Sequence, residues 1–222
     1  PPLDAVDPLR RRLAIAMSAS PFAGVMNSAL AAGRPDVAQG AGATAATGRW
    51  VHAFAAFGDP KYPDGFSHFE YVNPDAPRGS TLRLRNPDRR TSFDKFNPFT
   101  TRGNAPAGVA IWMIEGLAHL SADEPSTMYA LLAESMFVAP DFSSVAFRIR
   151  PQARFSNGDP VTPADVKHSF DTLSSKEAAP PYQTVLAGIE RAEIVDSRTV
   201  RFHLRQRTRD QLFVAGTLPI FS

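Results

Sequence analysis

The chain has 222 residues, 43% of them hydrophobic, with 24 Lys and Arg against 22 Asp and Glu for a formal charge of +2. That length can bury a sizeable core in one or two domains, while so small a charge excess gives no electrostatic footprint for nucleic acid. The absence of cysteine excludes disulfides and thiolate metal sites, and is compatible with an oxidising compartment.

At the N-terminus, Arg10, Arg11 and Arg12 precede an uncharged, largely apolar run, and Ala29-Leu30-Ala31 fits the small-x-small pattern before a cleavage point. Residues 1–31 are therefore expected to be a cleaved secretory signal. A membrane anchor is the competing reading, but Pro21, Asn27 and several serines make this run a poor transmembrane helix. The paired arginines followed by Leu13 also permit twin-arginine export. Gly33 to Gly48 is rich in Ala, Gly and Thr without apolar periodicity, and residues 32–56 are expected to form a flexible leader. Its Gly40-x-Gly42 is low complexity, since no strand precedes it and no charged ribose partner follows at the usual distance.

From Trp50 to Phe99 the chain is full of aromatics and prolines. Helices do not tolerate so much proline, which predicts extended chain wrapping a surface with the rings as anchors. A stacking platform for single-stranded nucleic acid would need a basic groove, and the charges here are mixed. Thr81 to Arg85 alternates as a short strand. Asn104 is placed to cap a helix from Pro106 or Ala107 to about Ala118, apolar on most sides and therefore expected to be buried.

Val145, Phe147 and Ile149 alternate with Ala146, Arg148 and Arg150, predicting a half-buried strand. Asn157-Gly158 then tolerates the positive φ of a reversal. Thr162 is a good N-cap, Pro163 suits the first helical position, and Asp165 puts a carboxylate in the first turn. Val166, Phe170 and Leu173 make one apolar helix face. Ala192 to Val195 and Thr199 to Leu204 read as two strands joined by a tight turn at Asp196-Ser197-Arg198. Short strands mixed with helices, without a regular βαβ repeat, predict an α/β fold of the mixed α+β kind.

Chemistry-bearing constellations are scarce. His52, His68, His119, His168 and His203 lie far apart, with no H-x-x-x-H pair. His168 is expected to be solvated or partly packed and His203 to face outward from its strand. No G-x-S-x-G, H-E-x-x-H or G-x-x-x-x-G-K-[ST] occurs. Asp123-Glu124 is an adjacent acidic pair for which general acid-base work is conceivable, though a solvated loop is the stronger expectation.

The order of residues from Ala133 onward resembles a family. Ala133-Glu134-Ser135, Pro140-Asp141, the strand ending near Arg150, Arg154-Phe155-Ser156-Asn157-Gly158 and Thr162-x-x-Asp165-Val166 are similar to the signature of the bacterial extracellular solute-binding proteins of family 5. Phe57-Gly58-Asp59-Pro60-Lys61-Tyr62-Pro63, the run from Phe69 to Gly79, and Ser92 to Phe99 resemble its microcin C and oligopeptide-importer branch, and Glu115-Gly116-Leu117 matches a further element. The resemblance runs from about Phe57 to Pro219.

It implies a periplasmic binding protein-like type II fold, with residues 57–222 as the N-terminal part of the domain, a partial first lobe. Residues 117–189 would form an inserted subdomain, with the hairpin near Ile194 and Phe202 in the central one; the second lobe would be absent and the C-terminus a truncation. Apolar surface is then expected to be exposed where that lobe docks.

The resemblance implies a non-enzymatic substrate-binding component of an ABC importer, needing no cofactor and monomeric at full length. Its partners would be a peptide or peptide conjugate in the periplasm and permease subunits in the inner membrane, with no nucleic acid. Ligand contacts would come from Arg102, Gly103 and Asn104, and from Tyr182 leaning into the cleft. Gly103 would let backbone approach the peptide, while Arg102 pairs with a carboxylate. The plainer alternatives are a Gly turn beside a solvated arginine, and a tyrosine packed on Pro180-Pro181. Some peptide-binding relatives carry an acidic residue where Arg102 stands. Other functions on the same fold are a sensor or regulatory domain, or a binder of a non-peptide ligand such as a metal chelate; a secreted hydrolase is opposed by the missing motifs.

Overall fold

The computed structural model describes residues 48–77, 79, 81, 94–106 and 108–222, all within the unit Gly42–Ser222. The expected signal, the leader up to residue 47, the strand after Thr81 and Ala107 at the expected start of a helix lie outside the described residues.

Alternating apolar residues build the larger sheet. In it β1 (Trp50–Val51), β5 (Ala133–Val138), β6 (Ser144–Ile149), β8 (Thr199–Leu204) and β7 (Ile189–Ile194) lie side by side in that order, each pair antiparallel. The register sets Val145 opposite Phe202 and Phe147 opposite Val200, so the apolar set of both strands falls on one face. The helix α2 (Pro163–Ser174) buries Val166, Ser169, Phe170 and Leu173. Its Phe170 ring stands 5.8 Å from Phe202, which lies 6.1 Å from Phe147, both pairs edge to face. On the other face the Arg148 guanidinium sits 4.3 Å from the centre of the Trp50 ring, and His203 bonds Glu193 at 2.5 Å.

The smaller sheet has the order β2 (Ala53–Ala55), β4 (Thr127–Ala130), β3 (Ala118–Leu120), again antiparallel. Backbone bonds tie the two sheets wherever the chain crosses between them. His52 O accepts from Ala130 N at 2.8 Å, and Leu117 O accepts from both Leu131 N (2.9 Å) and Ala133 N (3.0 Å). The helix α4 (Arg209–Gly216) buries Leu212 and Ala215 and sets Phe213 5.5 Å from Phe54. A side chain at Gly216 would come within 2.6 Å of Met128 Sδ, so glycine lets α4 close on β4. Among the described residues no helix is long and apolar enough to cross a membrane.

The expected local signals at the N-terminus of α2 are present in detail. Thr162 N donates to Asp165 Oδ2 at 2.8 Å and Asp165 N donates to Thr162 Oγ1 at 3.4 Å, a reciprocal capping box. Gly158 takes φ +94° in the preceding turn.

Three expectations are corrected. Residues 50–51 and 53–55, placed in the leader, form β1 and β2, because Trp50 pairs with Phe137 and Ala53, Phe54 and Ala55 are buried. The long buried helix is instead α1 (Val109–Trp112), with no buried residue and with Ile111, Trp112 and Met113 exposed. It cannot run on toward Ala118, because the chain is already drawn into extended pairing. Glu115 O accepts from Ile220 N at 3.0 Å, and a Cβ on Gly116 would lie 3.0 Å from Gly216 O. Finally, the β7–β8 hairpin, assigned to a central subdomain, continues the sheet of β5 and β6, since Phe202 and Val200 share the apolar face of Val145 and Phe147.

Thr162→Ala removes one half of the capping box and should lower unfolding stability by about 1 kcal/mol, read as a shift in the urea midpoint at unchanged slope.

Candidate functional site

The loop from Asp94 to Asn104 is closed by its ends. Asp94 N donates to Asn104 O at 3.1 Å, and Asn104 N donates to Asp94 Oδ1 at 2.6 Å. Between them Gly103 has φ +79°, and a Cβ there would stand 2.5 Å from that same Oδ1. Loop closure therefore already requires glycine at this position. Lys95 Nζ donates to Thr100 O (2.7 Å) and Thr100 Oγ1 (2.8 Å), and Asn97 Oδ1 accepts from Phe99 N at 2.8 Å.

This loop is joined to the segment that carries Tyr182. Thr100 forms an antiparallel bridge with Ala178, and Phe99 O accepts from Ala179 N at 2.7 Å. The chain then enters α3 (Pro180–Leu186), where two prolines at the first positions suit a helix start whose N–H groups would be unpaired. The Tyr182 ring stands edge-on to Phe99 at 5.3 Å, and burial pushes its phenol up from the ordinary tyrosine value. Arg102 and Asn104 are exposed and Tyr182 is half-exposed. The bridge thus brings the two predicted segments to one place in the fold.

Phe99 at this junction went unassigned in the sequence beyond being one anchor among many. It is buried, stacked 5.1 Å from Phe221 on one side and touched by Tyr182 on the other. Its signal is the Asn97-Pro98-Phe99 turn, which fixes where the ring enters the core. The two segments joined here carry a guanidinium, a primary amide and a phenol. They can pair with a carboxylate and with peptide N–H and C=O groups. Among the described residues no three His, Asp or Glu side chains gather as a metal site.

The acidic pair Asp123-Glu124 is not a freely solvated loop. Asp123 Oδ2 accepts from Lys61 Nζ at 2.8 Å and from the Tyr62 hydroxyl at 2.5 Å, and its Oδ1 accepts from Ser121 Oγ at 2.6 Å. Glu124 accepts from Lys61 N at 2.7 Å and from the Tyr129 hydroxyl at 2.5 Å. Lys61 also reaches Glu70 at 2.7 Å. Beneath this network Tyr62 packs with Phe66 (5.0 Å), Phe69 (5.2 Å) and Tyr129 (5.6 Å), so these rings do anchor the proline-rich wrap.

Lys61, Ser121 and Tyr62 hold the Asp123 carboxyl well below the usual range, while Asp123 and then Glu70 push Lys61 up. Burial first, and then Glu124, pushes Tyr129 up. Each group is held in its ordinary charge state at neutral pH, the opposite of what a general acid or base needs. The network is a latch that pins residues 60–71 to β3 and β4.

Asp123 is depressed in the folded state, so its stabilisation is complete above the ordinary carboxylate pKa of about 4 and is lost as pH falls through its lower folded value. Limited proteolysis should accordingly open residues 57–77 first on acidification, and Asp123→Asn should bring that cleavage to neutral pH. Gly103→Ala should cost about 1 kcal/mol or more by forcing a side chain into positive φ against Asp94, measured as a lowered Tm.

Residues 127–221 match the family described as bacterial extracellular solute-binding proteins, family 5 middle. A probable peptide-binding protein YejA of Agrobacterium fabrum is 32% identical over 205 residues, covering 92% of this chain and 30% of the relative. A peptidoglycan-binding protein YepA of the same organism is 34% identical over 179 residues, 77% of this chain and 28% of the relative. Among solved structures, Haemophilus influenzae OppA in complex with RPPGFSPFR is similar at a TM-score of 0.49 and 25% identity, over 57% of this chain and 28% of that one. The chain spans 24 to 30% of the length of the curated relatives it matches. Through residues 127–221 the chain belongs to the bacterial extracellular solute-binding proteins of family 5.

Proposed function

We propose that this protein is the substrate-binding component of an ABC importer, which captures oligopeptides or peptide conjugates in the periplasm and hands them to permease subunits in the inner membrane without transforming them. The observation that supports this reading is the backbone bridge at Thr100–Ala178, which joins the loop carrying Arg102–Asn104 to the segment that leads into α3 and Tyr182. A protein that accepts many peptides must bind what they share, their backbone and termini. Arg102 then pairs with a peptide carboxylate, while Asn104 and the Tyr182 hydroxyl bond backbone amides. Each such bond nets only about 0.5–1.5 kcal/mol, so capture needs enclosure as well. In this reading the described fold is part of the first lobe of a type II binding architecture. The exposed Ile111, Trp112 and Met113 face a second lobe that closes the cleft.

The name of YepA favours one narrower reading, in which the peptide is the stem peptide of a cell-wall fragment. Calorimetry of the full-length protein with di- to octapeptides, peptide conjugates, a muropeptide, a free sugar and a metal chelate separates these. Binding of unmodified peptides with recovery of intact ligand is the expected result. Arg102→Ala and Tyr182→Ala should each weaken binding about tenfold, or about 1.4 kcal/mol. Tight binding of the chelate or the sugar with none of any peptide, or turnover of the bound peptide, overturns the proposal.

A further inference from the structure

Beyond α4 the chain brings Phe221 against α2, where one side chain bonds its backbone. Ser169 is fully buried in the middle of α2. Its hydroxyl accepts from Phe221 N at 2.9 Å, and its single proton faces two carbonyls, Asp165 O at 2.8 Å and Phe221 O at 3.0 Å. A serine inside a helix ordinarily turns its hydroxyl to the carbonyl one turn back. Here it also contacts both backbone polar groups of a residue 52 positions away.

That clamp decides where the Phe221 ring sits. It stacks on Phe99 with centroids 5.1 Å apart and meets His168 edge-on at 5.8 Å. Phe99 in turn carries the Tyr182 ring edge-on, and its carbonyl holds Ala179 beside the Thr100 bridge. Ser169, Phe221, Phe99 and Tyr182 therefore form an unbroken line of contacts from the interior of α2 to the candidate ligand surface.

We propose that Ser169 is a positioning residue for ligand: by clamping Phe221 it fixes the Phe99 ring, and through it the orientation of Tyr182 and the Arg102 loop. This rests on the proposed role of Tyr182 and Arg102 as ligand contacts. Aromatic pairs hold defined stacked and edge-on geometries, and a close-packed interior transmits a displacement at one ring to the next. Removing the hydroxyl leaves the Phe221 N–H and C=O without this partner. The segment then shifts to other partners, and Tyr182 loses the surface that orients it.

The test uses the full-length protein with carbon-13-labelled tyrosine rings, the Tyr182 signals being assigned through Tyr182→Phe. Ser169→Ala should shift those signals without ligand present, and Phe221→Leu, which keeps the backbone but removes the stack, should shift them in the same sense. Asp123→Asn, which loosens the separate latch on the small sheet, should leave them in place. Peptide affinity should fall about fivefold in Ser169→Ala, the scale of one lost hydrogen bond, and recover in Ser169→Thr, which retains a hydroxyl. Unmoved Tyr182 signals in both variants, an equal shift in Asp123→Asn, or wild-type affinity in Ser169→Ala overturns the proposal. A wild-type protein that binds no peptide while Ser169→Ala still moves Tyr182 overturns the proposed function and leaves the clamp established.

Discussion

The pairing of β6 with β8 is the constraint on which the rest of the fold depends. Val145 and Phe202 are directly opposed although more than fifty residues separate them, and all of α2 and α3 lie in the loop that the pairing closes. Closing such a loop is entropically unfavourable, and the cost grows only slowly with its length. What offsets it is the burial of Phe147, Val200, Phe202 and Phe170 under α2, at about 1.5–3 kcal/mol for each fully buried large side chain. Only once α2 rests on this face does Ser169 meet Phe221, and only then do the loop at 94–104 and the base of α3 share a backbone bridge. The candidate surface is thus a consequence of sheet register.

A second, smaller assembly stands beside the first and is held by different physics. The Tyr62, Phe66, Phe69 and Tyr129 rings form an apolar cluster roofed by the Lys61, Asp123 and Glu124 network. The carboxylates bond hydroxyl and ammonium donors in positions too wet for a large Coulombic gain. Their contribution is geometric, since each bond fixes a segment that proline bars from regular structure. The latch and the candidate surface are separate in the fold, the first on the small sheet and the second where the 94–104 loop meets the base of α3.

Local chemistry was legible in the sequence. Thr162, Pro163 and Asp165 announced a helix start, Asn157-Gly158 a reversal, and the alternation around Phe147 and Phe202 two strands, because each of these signals acts within a few residues. Arg102 to Asn104 and Tyr182 are candidates only through family resemblance, and nothing in their spacing shows that their two segments share a backbone bridge. The errors fall where partners are distant. Trp50 to Ala55 looked like leader because the strands that pair with it lie roughly 70 to 90 residues on, at Thr127 to Phe137. The apolar run at Ile111 to Ile114 looked like a buried helix because periodicity reports a face without reporting what covers it. Asp123 looked solvated because its partners, Lys61 and Tyr62, come from a segment about sixty residues earlier.

His52 is the one residue between β1, in the large sheet, and β2, in the small one, and its carbonyl is spent on Ala130. A single residue spans at most about 3.6 Å of extended chain, so the crossing has no slack. The two sheets cannot tilt against each other without first breaking that bond or unpairing Trp50 from Phe137. Along the chain, the two rungs that pair β1 with β5 come before the three that pair β2 with β4, so the aromatic cluster around Tyr129 is entered only through that short, taut junction.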